Sequence, residues 1–217
     1  MQSLTERVFE LAPPGGLFDS GVVRTVFPAA SDGARKLLVN RALRQGEILR
    51  LRSGLYCLAP AYRKSPLHPF TIAAAIHGPS HVSLETALSF HGLIPEAVFQ
   101  VACVTARRSR TYATPVGTFT FRRVPCDDPK AGVRSVRLAP DAWASVALPL
   151  RAIADLVYLR KNVTWKRDGL RFLTDSLRID DQDVRDLKVG AFREIYQAIR
   201  SRRTQDYLDG MRAELGR

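Results

Sequence analysis

The sequence predicts an α+β fold, and three observations support that prediction. Apolar side chains recur with helical spacing through the first 46 residues. After Gly46, apolar and basic residues alternate, as is typical of a strand. Further along, segments rich in Val, Phe and Thr precede a helical C-terminal part. We therefore expect a small region of helices and a hairpin, followed by a mixed α/β domain with a small sheet and C-terminal helices.

The composition is that of a folded chain with a large excess of basic residues. Of 217 residues, 46% are hydrophobic and 25% are charged, so the chain can bury a core. The formal net charge of +12 is typical of proteins with phosphate-rich partners. No apolar run reaches the ~18 residues of a membrane span, and the N-terminus lacks a signal-peptide pattern. We expect a cytoplasmic protein with no membrane partner.

Cysteine and histidine spacing gives no support for a disulfide framework or a metal site. The three cysteines are far apart and outside any C-x-x-C pair, so we predict buried thiols at Cys57, Cys103 and Cys126. His77 and His81 have the spacing of a metal-binding pair on a helix. The intervening Gly-Pro pair would break that helix, so we expect no metal.

Three short helices are predicted in the first 46 residues. They span Ser3 to Leu11, Leu17 to Phe27, and Ser31 or Asp32 to about Gln45. Ser3 and Glu6 have the spacing of a capping box, and Gly46 supplies the last stop signal.

A β-hairpin is predicted directly after the third helix. Along its first strand Leu49 and Leu51 share one face and Arg50 and Arg52 the other. Ser53 and Gly54 form the turn before a second strand over 55–58. Three helices and a hairpin in this order predict a winged helix-turn-helix with the hairpin as its wing. The proline-rich stretch 59–69 reads as a linker, so we place the DNA-binding domain at 1–65 and a second domain at 66–217.

The second domain should alternate helices and strands before ending in helices. Helices are expected over Phe70 to Ile76, Ser83 to His91 with Ser83 as cap, Leu150 to Arg160, Gly169 to Leu177 and Asp183 to Leu215. The last should be broken near Gly190 and between Arg203 and Gln205. Strands are expected at His81-Val82, Val98 to Thr105, Gly117 to Val124 and Val133 to Leu138.

The third helix carries the side chains that a major-groove helix uses. Lys36, Asn40 and Arg44 recur on one face, opposite a face formed by Ala34, Leu38 and Ala42. Lys and Arg reach phosphates or guanine, and Asn can read adenine. The alternative is a solvated basic face. Because basic residues also occur on the wing, we predict a DNA-binding surface made of Arg35, Lys36, Asn40, Arg41, Arg44, Arg50 and Arg52, with Arg35 and Arg41 at its edge.

Two further basic clusters are candidates for partner binding. Arg107, Arg108 and Arg110 should form a loop tip beside Tyr112, either as a solubilising loop or as a site for nucleic acid or an acidic protein. The second cluster lies in the predicted C-terminal helices and consists of Arg193, Arg200, Arg202 and Arg203. Acidic residues occur close to these arginines, so a solvated helix face is the alternative to partner binding.

No residue pattern indicates catalysis. Glycine-rich phosphate loops and a G-x-S-x-G elbow are both missing from the sequence. The acidic run 180–183 has the position of a helix cap rather than of a metal or acid–base cluster. We expect no enzyme activity, no catalytic residues and no cofactor.

Three segments, considered in order, resemble the AbiEi family of antitoxins from type IV toxin–antitoxin systems. They are the wing at Gly46 to Tyr56, the helix with small residues at Ser83 to Leu93, and the basic turn with its aromatic strand at Arg107 to Phe119. The resemblance covers roughly residues 1–160. The segment Gly15 to Ala30 is longer than in the family.

The resemblance implies two roles. The N-terminal domain would repress its own operon by binding repeats in the promoter, and the second domain would neutralise a partner toxin, typically a nucleotidyltransferase. The residues alone support only DNA binding. A ligand-responsive transcription factor without a toxin partner and an RNA-binding or nuclease-like protein stay open as alternatives.

Overall fold

The computed structural model describes residues 2–95, 100–140, 142–187 and 191–216. It combines helices with two sheets, so the predicted α+β class is confirmed. The first 58 residues contain α1 (Leu4–Leu11), β1 (Leu17–Asp19), α2 (Ser20–Val26), α3 (Asp32–Arg44), β2 (Ile48–Arg52) and β3 (Leu55–Leu58).

Side-chain caps define where the N-terminal helices begin. The predicted capping box is confirmed, because the Ser3 hydroxyl accepts from the Glu6 amide and the Glu6 carboxylate accepts from the Ser3 amide. Ser31 caps α3 by accepting from the amide of Ala34. Asp19 caps α2, so that helix starts three residues later than the predicted span and leaves room for β1.

The hairpin is confirmed, but the predicted alternation along β2 is wrong. Arg50 lies opposite Tyr56, whereas Arg52 lies opposite Leu55, so Leu51 is the extra residue of a β-bulge. A bulge shifts the side-chain alternation by one position. Arg50 and Arg52 therefore do not continue one uninterrupted face of the strand.

The N-terminal sheet, in the order β1-β3-β2, separates two hydrophobic cores. Ile48, Tyr56 and Leu58 pack with the first three helices in the smaller core. Leu51, Leu55 and Cys57 pack into the larger core of the second half of the chain. Each face of the hairpin is thus buried against a different part of the protein.

A six-stranded mixed sheet dominates the rest of the chain. The elements are α4 (Pro69–Ile76), β4 (His81–Val82), α5 (Leu84–Phe90), β5 (Gln100–Thr105), β6 (Arg110–Thr114), β7 (Gly117–Arg123), β8 (Val133–Ala139), β9 (Ala142–Ala147), α6 (Pro149–Leu159), α7 (Trp165–Asp168), α8 (Asp181–Arg185), α9 (Phe192–Ala198) and α10 (Arg202–Glu214). Helices precede the first strand of the sheet, separate β4 from β5 and follow its last strand. The strand order is β6-β7-β5-β4-β9-β8. β5 and β7 are parallel, as are β4 and β9.

Several predicted elements in this half need correction. β6 and β9 were not predicted as strands. The predicted α-helix from Gly169 to Leu177 is wrong. The short helix α7 ends before Gly169, and a π-helical turn follows at Phe172–Ser176. The predicted break between Arg203 and Gln205 is wrong, since Ser201 caps an α10 that runs through both residues. The start of the predicted strand at Val98 and the break near Gly190 lie outside the described residues.

Helix α6 lies at the centre of the larger core. Every residue from Leu150 to Val157 is buried, including Arg151 and Asp155. Ser83 occupies the N-cap position of α5 as predicted, but its hydroxyl donates to Asp155 instead of capping that helix. The acidic run does begin a helix, because the Asp180 carboxylate accepts from the amide of Gln182.

Within the residues that the structure describes, no helix has the length and apolarity needed to cross a membrane.

Two of the three cysteines have the predicted environment. Cys57 and Cys103 are buried as predicted, whereas Cys126 is only half-buried. Burial raises the pKa of the Cys103 thiol to about 12.

Candidate nucleic-acid interface

The exposed face of α3 carries polar and basic side chains, as the sequence predicted. Lys36, Asn40, Arg41 and Arg44 are all exposed. On the opposite face Ala42 is buried as predicted and Val39 is buried beside it, whereas Ala34 and Leu38 are only half-buried. Leu37, which sequence reasoning did not single out, is 67% exposed on the outer side. An apolar side chain left this exposed is available for contact with a partner.

A groove of about 460 Å³ runs between α2, α3 and the hairpin. Its polar side chains come from all three elements. They include Arg24, Asp32, Arg35, Lys36, Asn40 and Arg50. Four of these residues are cationic and one is acidic, so the groove favours an anionic partner.

Arg35 borders the groove but is bonded within the protein, whereas the sequence predicted a free side chain at the edge of the DNA-binding set. Its guanidinium donates to the carbonyls of Phe27 at 3.0 Å and Pro28 at 2.8 Å, and to the Asp32 carboxylate at 2.9 Å. These bonds connect α3 to the turn that joins it to α2. Arg35 therefore positions α3, and three of its five N–H donors are used within the protein.

Arg7 also contacts the residues where α2 ends and that turn begins. Its guanidinium donates to the carbonyl of Val26 and lies 4.5 Å from the centre of the Phe27 ring. The Thr5 hydroxyl also donates to the Glu47 carboxylate at 2.6 Å, joining α1 to the residue before β2. These contacts fix the geometry between the helices and the hairpin.

Arg50 and Arg52 contribute to different surfaces, which corrects the expectation that they act together. Arg50 borders the groove beside α3. The Arg52 guanidinium donates instead to the carbonyls of Ile76 and Ser53, each at 2.9 Å. The bulge at Leu51 turns Arg52 toward the second half of the chain, so only Arg50 remains beside the α3 side chains.

No protein-family model matches the chain. A search of curated proteins finds no significant match either. The function must therefore be inferred from the surfaces themselves.

Arg24 belongs to the candidate interface although sequence reasoning missed it. It is exposed on α2 and borders the same groove as Lys36, Asn40 and Arg50. Asp19 is the sequence signal that could have placed Arg24 on a helix. Its side chain accepts from the amides of Gly21 and Val22 and so marks the start of α2.

The cluster at the β5–β6 turn forms a second basic surface. Arg107, Arg108 and Arg110 border a concavity of about 600 Å³ together with Arg52 and the neighbours His77 and Tyr112. Burial, followed by the charges of Arg110, Arg107 and Arg52, lowers the pKa of His77. The predicted loop tip beside Tyr112 is thus present, and Arg52 is added to it from the hairpin.

The four C-terminal arginines predicted as a partner-binding cluster do not lie on one helix. Arg193 is exposed on α9, whereas the other three follow that helix and pair internally. Arg200 contacts Asp127, and Arg202 contacts Asp206 at 3.1 Å. Arg203 donates to the carbonyls that end α6, at 2.8 Å to Val157 and 3.0 Å to Tyr158. Arg203 is therefore a helix-capping residue.

Proposed function

We propose that the protein is a DNA-binding transcriptional regulator whose first 58 residues form a winged helix-turn-helix. The main support is that Lys36 and Asn40 from α3 and Arg50 from β2 all border one open groove. The element order α1-β1-α2-α3-β2-β3 and the antiparallel β1-β3-β2 sheet support the assignment. In this arrangement α3 enters the major groove.

The side chains on α3 suit both parts of DNA recognition. Lys36 and Arg44 provide charge for phosphate contacts, which supply affinity. Asn40 can bind adenine through its amide, and Leu37 offers an apolar contact for a thymine methyl group. Recognition by α3 is therefore expected to include sequence preference as well as charge.

The wing contributes mainly through Arg50. Arg24 on α2 lies across the same groove, where the first helix of such a motif crosses the DNA backbone. These two arginines would contact phosphates on either side of α3.

The antitoxin role rests on resemblance to the AbiEi family. By that resemblance the protein would repress its own promoter and counteract a nucleotidyltransferase-like toxin. The concavity bordered by Arg107, Arg108 and Arg110 is the surface we propose for an acidic partner, because it is cationic and separate from the α3 groove. Co-expression with an adjacent nucleotidyltransferase-like gene tests this role. Rescue of growth supports it, and loss of rescue in an Arg107/Arg108 double alanine variant assigns the surface.

DNA binding is tested by a gel-shift titration of the purified protein. The probes are its own upstream DNA and a scrambled duplex of equal length, each at two salt concentrations. A preference for the upstream DNA that persists at the higher salt supports the proposal, because counterion release acts on both duplexes alike. Equal, salt-sensitive binding to both duplexes would contradict sequence-specific regulation.

A further inference from the structure

β6 lies at an outer edge of the six-stranded sheet and is a regular strand. It pairs with β7 through an unbroken register from Arg110 to Thr114. Among the residues that the structure describes, β6 makes no backbone hydrogen bond to any element other than β7. Alternate residues of an edge strand direct their N–H and C=O groups away from the sheet, so this edge can pair with a further strand.

The opposite edge of the sheet, β8, is protected from pairing. A bulge interrupts its register with β9 between Arg137 and Ala139. The Arg137 guanidinium also donates to the carbonyls of Ala139 at 3.3 Å and Pro140 at 3.1 Å. Bulges and charged side chains are common means of closing a sheet edge. No bulge interrupts the pairing of β6 with β7, so β6 is the more open of the two edges.

The start of β6 is surrounded by exposed arginines. The concavity beside it, which we call the basic concavity, has a volume of about 600 Å³ and no Asp or Glu among its described lining residues. Arg52 and Ser53 of the hairpin form one border of it. The end of β7 adds further charge, because the Arg123 amide donates to the Ser109 hydroxyl at 2.9 Å and so lies against the β5–β6 turn. The exposed arginines are Arg107, Arg108, Arg110, Arg122 and Arg123.

These charges determine which strand the edge can accept. A second copy of the same edge would bring two sets of arginines together, and like charges on neighbouring strands are destabilising. An acidic strand would instead pair its carboxylates with the arginines. The charge therefore closes β6 to self-association and leaves it open to an acidic segment.

We infer that the acidic partner adds an extended strand to β6, with Asp or Glu at alternate positions. Arg110 and Tyr112 share the face of β6 that borders the basic concavity, and by strand alternation Thr111 and Ala113 share the other face. Partner residues on the first face should be acidic, and those on the second should be β-branched. Backbone hydrogen bonds would supply affinity and the arginines specificity. The inference rests on the proposed acidic partner and adds how that partner docks.

The test is a nuclear magnetic resonance titration of the isotope-labelled full-length protein with capped peptides. The acidic probe is Glu-Thr-Glu-Val-Glu-Thr-Glu, and the neutral probe has Gln in place of each Glu. Two further acidic probes carry N-methyl groups, either on the amides of the Glu residues or on those of the Thr and Val residues. Because successive amides of a strand point to opposite sides, only one of the two methylated probes loses its hydrogen bonds to β6.

The acidic probe is expected to shift the amide signals of residues 110–114 with a dissociation constant of about 1 mM or lower, and to slow the hydrogen exchange of these amides. The neutral probe should bind about tenfold more weakly, because it lacks the charge contacts. One methylated probe should also bind about tenfold more weakly, and the other should stay within about twofold of the acidic probe.

Variants of the protein separate this site from general charge effects. Arg107→Ala/Arg108→Ala should weaken binding of the acidic probe about fivefold, as for loss of two exposed charge contacts. The matched control Lys161→Ala/Lys166→Ala removes the same charge from exposed positions outside the basic concavity and should leave the affinity unchanged.

Four results would overturn the inference. They are no shift at residues 110–114 with about 10 mM acidic probe, equal binding of the neutral probe, equal losses in the two double variants, and equal binding of the two methylated probes. Equal binding of the methylated probes with a loss in the Arg107/Arg108 variant would mean that charge alone holds the partner, so the docking mode fails while the acidic surface stands. Failure of the acidic partner itself appears instead as absent growth rescue in the co-expression test.

Discussion

At the scale of single residues, hydrogen bonds within the protein distinguish the arginines that are committed to backbone carbonyls from those that remain available to a ligand. Arg50 borders the groove beside α3, while the guanidinium two positions later, on Arg52, donates to two backbone carbonyls. Arg35 and Arg203 are likewise committed to carbonyls of neighbouring turns and helices. Exposed charge alone is therefore a poor guide to which arginine binds a ligand.

Arg50→Ala is expected to weaken binding to the upstream DNA about tenfold, or ~1.4 kcal/mol, because it removes the phosphate contact that we propose for Arg50. Arg52→Ala is the matched control on the same strand and should change affinity by less than about threefold. Fluorescence anisotropy with labelled duplex measures both. An equal loss in the two variants would mean that the bulge does not separate their roles.

The three thiols should differ sharply in reactivity. Cys57 and Cys103 are buried and their thiol pKa values are raised, that of Cys103 to about 12, whereas Cys126 is half-buried. Since the thiolate is the nucleophile, native protein at neutral pH should label first at Cys126. Mass spectrometry after brief alkylation checks this order. Early labelling of Cys103 would contradict the packing described for β5.

Sequence reasoning succeeded at residues whose environment is set locally. Exposure of Lys36, Asn40 and Arg44 follows from helical spacing alone. The roles of Arg35 and Arg52 could not be predicted, because their acceptors are carbonyls brought close by tertiary packing. Arg24 was missed because α2 lacked a recognised start, although Asp19 supplied one.

At the scale of elements, local signals predicted helices better than strands. Ser3, Glu6 and Ser31 fix helix starts through bonds within three residues. β6 and β9 were missed because neither shows a long apolar run, β6 being a polar edge strand and β9 rich in alanine. The bulge at Leu51 depends on cores on both faces of the hairpin, which no local pattern records.

The turn between α2 and α3 should be the element most sensitive to Arg35. Arg35→Ala removes three hydrogen bonds, two of them to backbone carbonyls, and should lower the free energy of unfolding by about 1–3 kcal/mol. Arg41→Ala, on the exposed face of the same helix, should stay within about 0.5 kcal/mol of the unmodified protein. Urea denaturation followed by circular dichroism measures both. Similar stabilities for the two variants would contradict a positioning role for Arg35.

At the scale of the whole molecule, a buried polar network joins distant parts of the chain. Asp155 on α6 meets Arg151 on the same helix, Ser83 before α5 and His81 on β4. Burial alone would raise the pKa of Asp155, but the Arg151 guanidinium and the hydrogen bonds from His81 and Ser83 lower it below its ordinary 3.8. These contacts span more than 70 residues of sequence, so they could not be read from local patterns.

Asp155→Asn should destabilise the protein by about 3–5 kcal/mol at neutral pH, because it leaves Arg151 as a buried charge without its counter-ion. A carboxyl group with a lowered pKa contributes stability above its unfolded pKa and loses it as pH falls through the folded value. The difference between the two proteins should therefore shrink below pH 3.8. The exposed pair member Asp206 gives the control, and Asp206→Asn should cost at most about 1 kcal/mol. Thermal and urea unfolding across pH measure both, and a constant difference down to low pH would contradict the assignment.

The most direct test of the proposed DNA interface is the salt dependence of binding to the upstream duplex, measured by fluorescence anisotropy for the unmodified protein and for Lys36→Ala. If Lys36 on α3 contacts a phosphate, the slope of log affinity against log salt should fall by about 1, while the surface control Lys161→Ala keeps the original slope. An unchanged slope for Lys36→Ala would place the DNA on another face and contradict the assignment of α3 as the recognition helix.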